Sequence, residues 1–218
     1  GLLDSTEQRF DDLSRSLLWS AAGTDDVTPT AISELVSQRT PDVEVVPDGS
    51  YDFAGVYCFG RGVFKGQTRS GMDFKYPRLT RLRARNFVYP KLMAWEGALA
   101  VVPPECDGLV VSTEYPVFEI DESKVLPEVL DVYFRTPTVW PEISGTSTGT
   151  NVRRRRLNPN DFLKYEFPLP PMPVQKRIRD VRVLTEKAKQ ERQKTKDELD
   201  AIVKSVLNEV FAGTEQDS

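Results

Sequence analysis

Apolar residues return every 3.5 positions along the last quarter of the chain. Val174, Val181, Ala188, Thr195 and Ile202 form one row, and Ile178, Thr185, Arg192, Leu199 and Val206 the other. That period is the seam of a coiled-coil-type helix rather than the wider stripe of a helix lying on a globule. Pro173 suits the first turn, where its missing N–H is not needed, and Gly213 suits the stop. A helix over this span is roughly 60 Å long at 1.5 Å per residue, so its seam calls for another helix. Just upstream, the run Pro168-Leu169-Pro170-Pro171-Met172-Pro173 removes amide donors and sets φ. It is expected to be neither strand nor helix interior, but a stiff, extended hinge.

A shorter amphipathic pattern opens the chain. Phe10, Leu13, Leu17 and Ala21 fall on one side of a helix predicted over residues 5–22. Its end resembles that of the long helix: Phe10-Asp11…Ser16-Leu17-Leu18…Ala22-Gly23-Thr24 aligns with Leu199-Asp200…Ser205-Val206-Leu207…Ala212-Gly213-Thr214, with one extra residue in the second copy. We read this as a repeat flanking the part between.

Between the two helical ends the pattern shortens to alternation and to brief apolar runs. Tyr51 to Phe64 predicts strands around a glycine turn. Tyr76 to Val102 mixes aromatic and β-branched residues with arginines, and predicts a buried strand over 97–102. Gly108–Ser112 and Val117–Ile120 predict strands around a turn at 114–116. Short helices are expected over 28–37, 126–134 and 159–163. The expectation is an α+β chain: a short N-terminal helix (1–24), a strand-rich globular domain (25–167), and a Pro-rich hinge with a long coiled-coil-type helix (168–218).

Composition narrows the function classes. The 218 residues carry a net charge of -4 with a mean hydropathy of -0.41, and no apolar run is long enough for a membrane span. The two cysteines, Cys58 and Cys106, make no disulfide framework, which points to a reducing compartment. No signal-peptide pattern opens the chain, and a first residue other than Met points to a processed form or a fragment. Charge is segregated. Residues 1–60 hold 11 acidic and 3 basic side chains, a net of -8, whereas residues 61–91 hold 9 basic and 1 acidic, a net of +8. A second basic run, Arg153 to Arg156, follows a loop of glycine and small hydroxyl residues. A local basic field on an acidic chain favours a polyanionic partner.

Candidate chemistry is sparse. With no histidine, imidazole-based triads and most zinc sites are excluded, and without a CxxC the cysteines do not suggest a metal centre. Asp11-Asp12, Asp25-Asp26 and Asp121-Glu122 flank helices or turns as solvated caps. Phe59-Gly60-Arg61-Gly62 lacks the spacing of a dinucleotide-binding glycine motif and reads as a turn. Pro41-Asp42…Glu44 has a nuclease-like acid pair but no lysine two residues later. Pro170-Pro171 lacks the flanking residues of an amino-methyltransferase site. The binding signal is stronger. Arg61, Lys65, Arg69, Lys75, Tyr76, Arg78 and Arg81 interleave cations with aromatic and apolar residues, and as a strand 76–85 would place Arg81, Arg83 and Arg85 on one face. Ser147, Thr148, Thr150 and Asn151, followed by Arg153, Arg154 and Arg155, supply small donors and guanidinium groups suited to phosphates and base edges.

Several segments together resemble the specificity subunit of type I restriction–modification systems: Phe87-Val88-Tyr89, Leu92-Met93-Ala94-Trp95-Glu96-Gly97-Ala98, Phe118-Glu119-Ile120, the loop leading into Arg153 to Arg156, and Phe162-Leu163-Lys164-Tyr165-Glu166-Phe167-Pro168-Leu169-Pro170-Pro171…Gln175…Ile178. The last is the most specific; Val174 departs from it, where the family has glutamate. The resemblance implies a target recognition domain followed by a helical spacer, as the C-terminal half of a specificity subunit or a half-length one in a prokaryotic cytoplasm. It implies a non-catalytic role in sequence-specific recognition of half of a bipartite duplex DNA target. Its partners would be methyltransferase subunits, which use S-adenosylmethionine that this chain does not itself bind, and a restriction subunit. The helix positions Val174, Ile178, Val181, Ala188, Leu199, Ile202 and Val206 would serve assembly, including a possible homodimer. The alternative from a different class is a helical assembly scaffold with no direct DNA contact.

Overall fold

A computed structural model describes residues 4–22, 27–145 and 156–212. In chain order the elements are α1 (Asp4–Ala22), β1 (Thr28–Ala31), α2 (Ile32–Leu35), β2 (Val36–Gln38), β3 (Val43–Glu44), β4 (Ser50–Tyr57), β5 (Gly62–Ser70), β6 (Arg78–Arg81), β7 (Phe87–Val88), β8 (Ala100–Val101), β9 (Val110–Val111), β10 (Val117–Ile120), α3 (Pro127–Phe134), α4 (Trp140–Gly145), α5 (Pro159–Leu163), β11 (Glu166–Leu169) and α6 (Met172–Ala212). The fold is α+β, as the pattern of the chain predicts.

The layers follow from strand alternation, because successive side chains leave opposite faces. A four-stranded antiparallel sheet, in the order β2-β10-β7-β8, stands in the middle. Phe87, Tyr89 and Phe118 leave one face to join the larger core with α1, α2, α3, α5 and the start of α6. Val88, Ala100 and Val117 leave the other and meet Ala54, Val56 and Val111 of a five-stranded sheet, ordered β3-β6-β9-β4-β5. A small cluster of Tyr51, Leu79 and Val110, packed with Val43, Phe53 and Phe74, lies apart from both. By strand alternation it belongs to the outer face of that second sheet. The order is therefore helices, sheet, sheet. In the larger core Phe87 and Phe162 stack in parallel at 5.4 Å, and Phe134 and Phe167 close the group.

The strand that follows α1 and the strand that precedes α6 meet in a two-stranded ribbon, with β1 antiparallel to β11. Here the expectation for the Pro-rich run fails, since Pro168 lies inside a strand, opposite Pro29. The physical reason is the alternation of antiparallel pairs. Ile32 N–H donates to Tyr165 O at 3.0 Å, so the pairs of that parity carry the hydrogen bonds. Pro29 and Pro168 occupy the other parity, where neither needs an N–H. Residues 28–37 are strand, one helical turn and strand rather than one short helix, because 28–31 pair with β11 and 36–38 with β10. The helix α6 begins at Met172, one residue before the expected Pro173, and runs for 41 residues.

Gln175 pins the departure of α6. Fully buried, it accepts from Leu126 N–H at 2.9 Å and donates to the carbonyls of Lys124 at 3.0 Å and Pro170 at 2.9 Å. One side chain thus joins the start of α6, the Pro-rich segment and the N-cap of α3, whose own cap residue Leu126 has no side chain to offer. Arg182, two turns on, pairs at 3.2 Å with Asp131 of α3, a largely buried carboxylate that also lies 2.9 Å from Arg135 Nε and accepts from Val101 N–H at 3.3 Å. Among the described side chains of α1 the buried positions are Ser14 and Leu18, with Leu17 half-buried and Leu13 exposed, and the helix packs against α3 and α6. Trp19 lies 5.7 Å from Tyr133. Ala22 and Ala212, aligned in the repeat, are the last residues of α1 and α6. Among the described residues no helix is long and apolar enough to cross a membrane, and no cluster of three or more His, Cys, Asp or Glu side chains could hold a metal.

Candidate nucleic-acid interface

The long hairpin β4–β5 forms the free edge of the five-stranded sheet. Its register pairs Tyr51 with Arg69, Gly55 with Phe64 and Tyr57 with Gly62, so these side chains share the outer face. A bulge near Phe53 inserts one extra residue in β5. Lys65 and Thr68, three apart, consequently both reach Asp52 on the inner face; Lys65 Nζ lies 3.0 Å from its carboxylate and the Thr68 hydroxyl donates to it. The Thr68 and Lys65 contacts hold the Asp52 carboxyl below its ordinary value.

The outer face is aromatic and capped by guanidinium groups. Arg61 lies over the Tyr57 ring at 4.7 Å, and Tyr57 stacks on Phe64 at 4.0 Å. Gly55 makes room, since a Cβ there would meet the Phe64 ring at 2.4 Å. Toward the other end Arg69 lies 5.7 Å from the centre of the Phe53 ring, Phe53 meets Phe74 edge-on at 5.1 Å, and Phe74 leads to Tyr76 at 6.3 Å. Cations over these rings, of which Tyr57 is exposed and Phe53 half-buried, attract the ring faces and leave guanidinium N–H groups for a ligand. Arg81 joins this face by alternation in β6 and donates to Gly108 O at 3.0 Å. Lys75 and Arg78 are exposed and make no ion pair among the described residues.

The remaining basic residues of the block serve the fold. Strand β6 stops at Arg81, and Arg85 takes a left-handed φ of 71° in a turn, so Arg81, Arg83 and Arg85 do not share a strand face. The reason is that β6 pairs only where β9 and β3 flank it. Arg85 binds Glu122 through two contacts of 2.7 Å and Glu128 at 2.9 Å, while Arg83 pairs with Glu119 at 3.5 Å. Arg85 holds the Glu122 carboxyl below its usual range. The tip of the hairpin docks on the rest of the domain: Phe59 N–H donates to Glu96 O at 2.7 Å and Gly60 N–H to Gly97 O at 3.0 Å. Phe59 also faces Trp140 of α4, which runs straight into residues 146–155. Ser147, Thr148, Thr150, Asn151, Arg153, Arg154 and Arg155 lie outside the described residues. The segment returns at Arg156, paired with Glu114. Beside the tip, burial and the Glu96 carboxylate push the Cys58 thiol up to about 11, which suits a structural thiol and not a nucleophile.

Of the helix positions, Val174 and Ile178 pack into the chain's own core and Val181 is half-buried, whereas Ala188, Leu199, Ile202 and Val206 are exposed. The aromatic strip of Tyr57, Phe64, Phe53 and Phe74 escaped the reading of the site from sequence, although Tyr51, Phe53 and Tyr57 keep a two-residue period.

No family model and no curated protein matches the sequence. Solved structures match over most of it. The HsdS subunit from Thermoanaerobacter tengcongensis aligns with 85% of this chain and 50% of its own, with a TM-score of 0.56 and 17% identity. The fold is that of half a type I restriction–modification specificity subunit. A chain from a structure of complex assembly and conformational transition of the type I R-M system aligns with 86% of this chain and 50% of its own (TM-score 0.57, 16% identity). The type I S subunit from M. genitalium aligns with 93% and 55% (TM-score 0.51, 8% identity). At these identities the likeness is one of fold, and this chain spans about half the length of the specificity subunits it matches.

Proposed function

We propose that this chain is the DNA-reading half of a type I specificity subunit. Its globular domain reads one half of a bipartite duplex target, and α6 sets the distance to the other half. The observation that carries the reading is the fold match of most of this chain to half of solved specificity subunits. The guanidinium-capped aromatic face of β4–β5 supports it, with Arg61 and Arg69 facing phosphates and base edges. Methyl transfer to adenine, with S-adenosylmethionine, and cleavage belong to the partner methyltransferase and restriction subunits. The exposed apolar residues of distal α6 pair with a sister helix, from the other half of a longer subunit or from a second copy. Mapping methylated adenines in DNA from cells carrying this protein and its modification subunit tests the reading. A bipartite motif is expected, one half of which is lost with Arg61→Ala and Arg69→Ala together. Methylation at unchanged sites in that double variant would refute the assignment of this face.

The second reading, a helical scaffold with no DNA contact, is favoured by one observation: Leu199, Ile202 and Val206 are each more than half exposed. It predicts salt-independent assembly and no retention of duplex DNA, whereas phosphate contacts make binding fall steeply with salt.

A further inference from the structure

Phe59 combines three properties that packing does not explain together. It sits at the tip of the β4–β5 hairpin with a φ of +62°, a conformation that bulky L residues rarely adopt and glycine adopts freely. Its side chain is 64% exposed, with the Trp140 ring beside it, tilted by 55° at 6.2 Å. Yet the turn is rigidly held. Two backbone hydrogen bonds tie residues 59 and 60 to Glu96 and Gly97, and Gly60 abuts Arg135 so closely that a Cβ would lie 3.0 Å from its carbonyl oxygen. Arg135 is in turn fixed by Asp131. A strained, exposed aromatic on a rigid mount is built to be presented rather than buried.

Its setting identifies the ligand. The guanidinium of Arg61 follows two residues later over the Tyr57–Phe64 stack, so a flat apolar ring and a cation project from one tip. That pairing suits a nucleic acid, which offers base faces for stacking beside phosphates for the cation. We propose that Phe59 is a wedge that stacks against one base step of the duplex and unstacks it, while Arg61 neutralises the adjoining phosphate. The proposal rests on the DNA-reading assignment and adds a named specificity residue whose preference falls on deformable steps rather than on a hydrogen-bonding pattern.

The test uses the full chain and a pool of DNA duplexes with a randomised central region. The sequence enriched by the wild type is then synthesised with 2-aminopurine at successive positions. Phe59→Gly relieves the left-handed strain, so its unfolding midpoint is expected to equal or exceed that of the wild type. Its affinity for the enriched duplex is expected to fall by at least about tenfold, and the rise in 2-aminopurine fluorescence at one step to vanish. Phe59→Leu keeps an apolar side chain without a ring face and should lose the fluorescence change as well; Phe59→Trp should restore both signals. The salt dependence should stay nearly unchanged in all three, because the phosphate contacts remain. Wild-type affinity and fluorescence in both Phe59→Gly and Phe59→Leu would overturn the wedge and leave the DNA-reading assignment standing. Enrichment of no sequence by the wild type would overturn that assignment and the wedge with it.

Discussion

Helix α6 has two stretches with one period and opposite surroundings. From Met172 to Thr185 its inward row is covered: Ile178 is fully buried, Thr185 is 3% exposed, and Gln175 and Arg182 tie the helix to α3. From Leu199 to Leu207 the same kind of row stands in solvent, with Leu199, Ile202, Val203, Val206 and Leu207 each about half exposed or more. An apolar period therefore specifies that a face will be covered without specifying by what. The proximal stretch is part of the domain core, and the distal one is the exposed stretch proposed to pair with a sister helix. The contrast also explains the polar middle of the seam. Thr185 bonds back to Val181 O at 2.8 Å and Thr195 to Glu191 O at 2.9 Å, so both satisfy themselves within the helix at the border between the two stretches.

Substitutions at matched positions separate the two stretches. Ile178→Ala should have the largest effect, a loss of about 3 kcal/mol for a side chain deleted from a closed core, read from urea unfolding. Gln175→Ala leaves Leu126 N–H and two carbonyls without partners and should cost about 2–3 kcal/mol, with faster amide exchange at the start of α3 as its local signature. Arg182→Ala leaves Asp131 with Arg135 as its remaining cation and should cost about 2 kcal/mol. At the other end Ile202→Ser should change the stability of the isolated chain by less than about 0.5 kcal/mol. The same change, combined with Leu199→Ser, should weaken self-association measured by sedimentation equilibrium. A distal substitution as costly as Ile178→Ala would erase the distinction.

The aromatic residues and the glutamine that carried the family resemblance prove to be scaffold. Phe87, Tyr89, Phe118, Phe162 and Phe167 form the aromatic core, and Gln175 is the buried clasp of the Pro-rich segment. They are legible in sequence because each has a single geometric task. Residues at the candidate interface are less legible for the opposite reason. Arg69 and Arg85 belong to one basic block, yet one lies over an aromatic ring and the other is held by Glu122 and Glu128, more than thirty residues away in sequence. Charge spacing records a block, and only the register of β4–β5 and the early end of β6 sort it into faces.

By itself the sequence determined the α+β class, the long helix and the glycine turn at 59–62 each to within a residue, and the absence of histidine chemistry. These rest on local rules: period, φ preferences and side-chain inventory. Tertiary structure alone decided that Pro168 enters a strand, since that depends on the parity of its pairing with Pro29. It decided that the proximal part of the helix seam is core, since the aromatic core and α3 lie against it there. It also decided that Phe59 stands strained at an exposed tip, because the contacts that hold the turn come from Glu96, Gly97 and Arg135, distant in the chain and adjacent only in the folded domain.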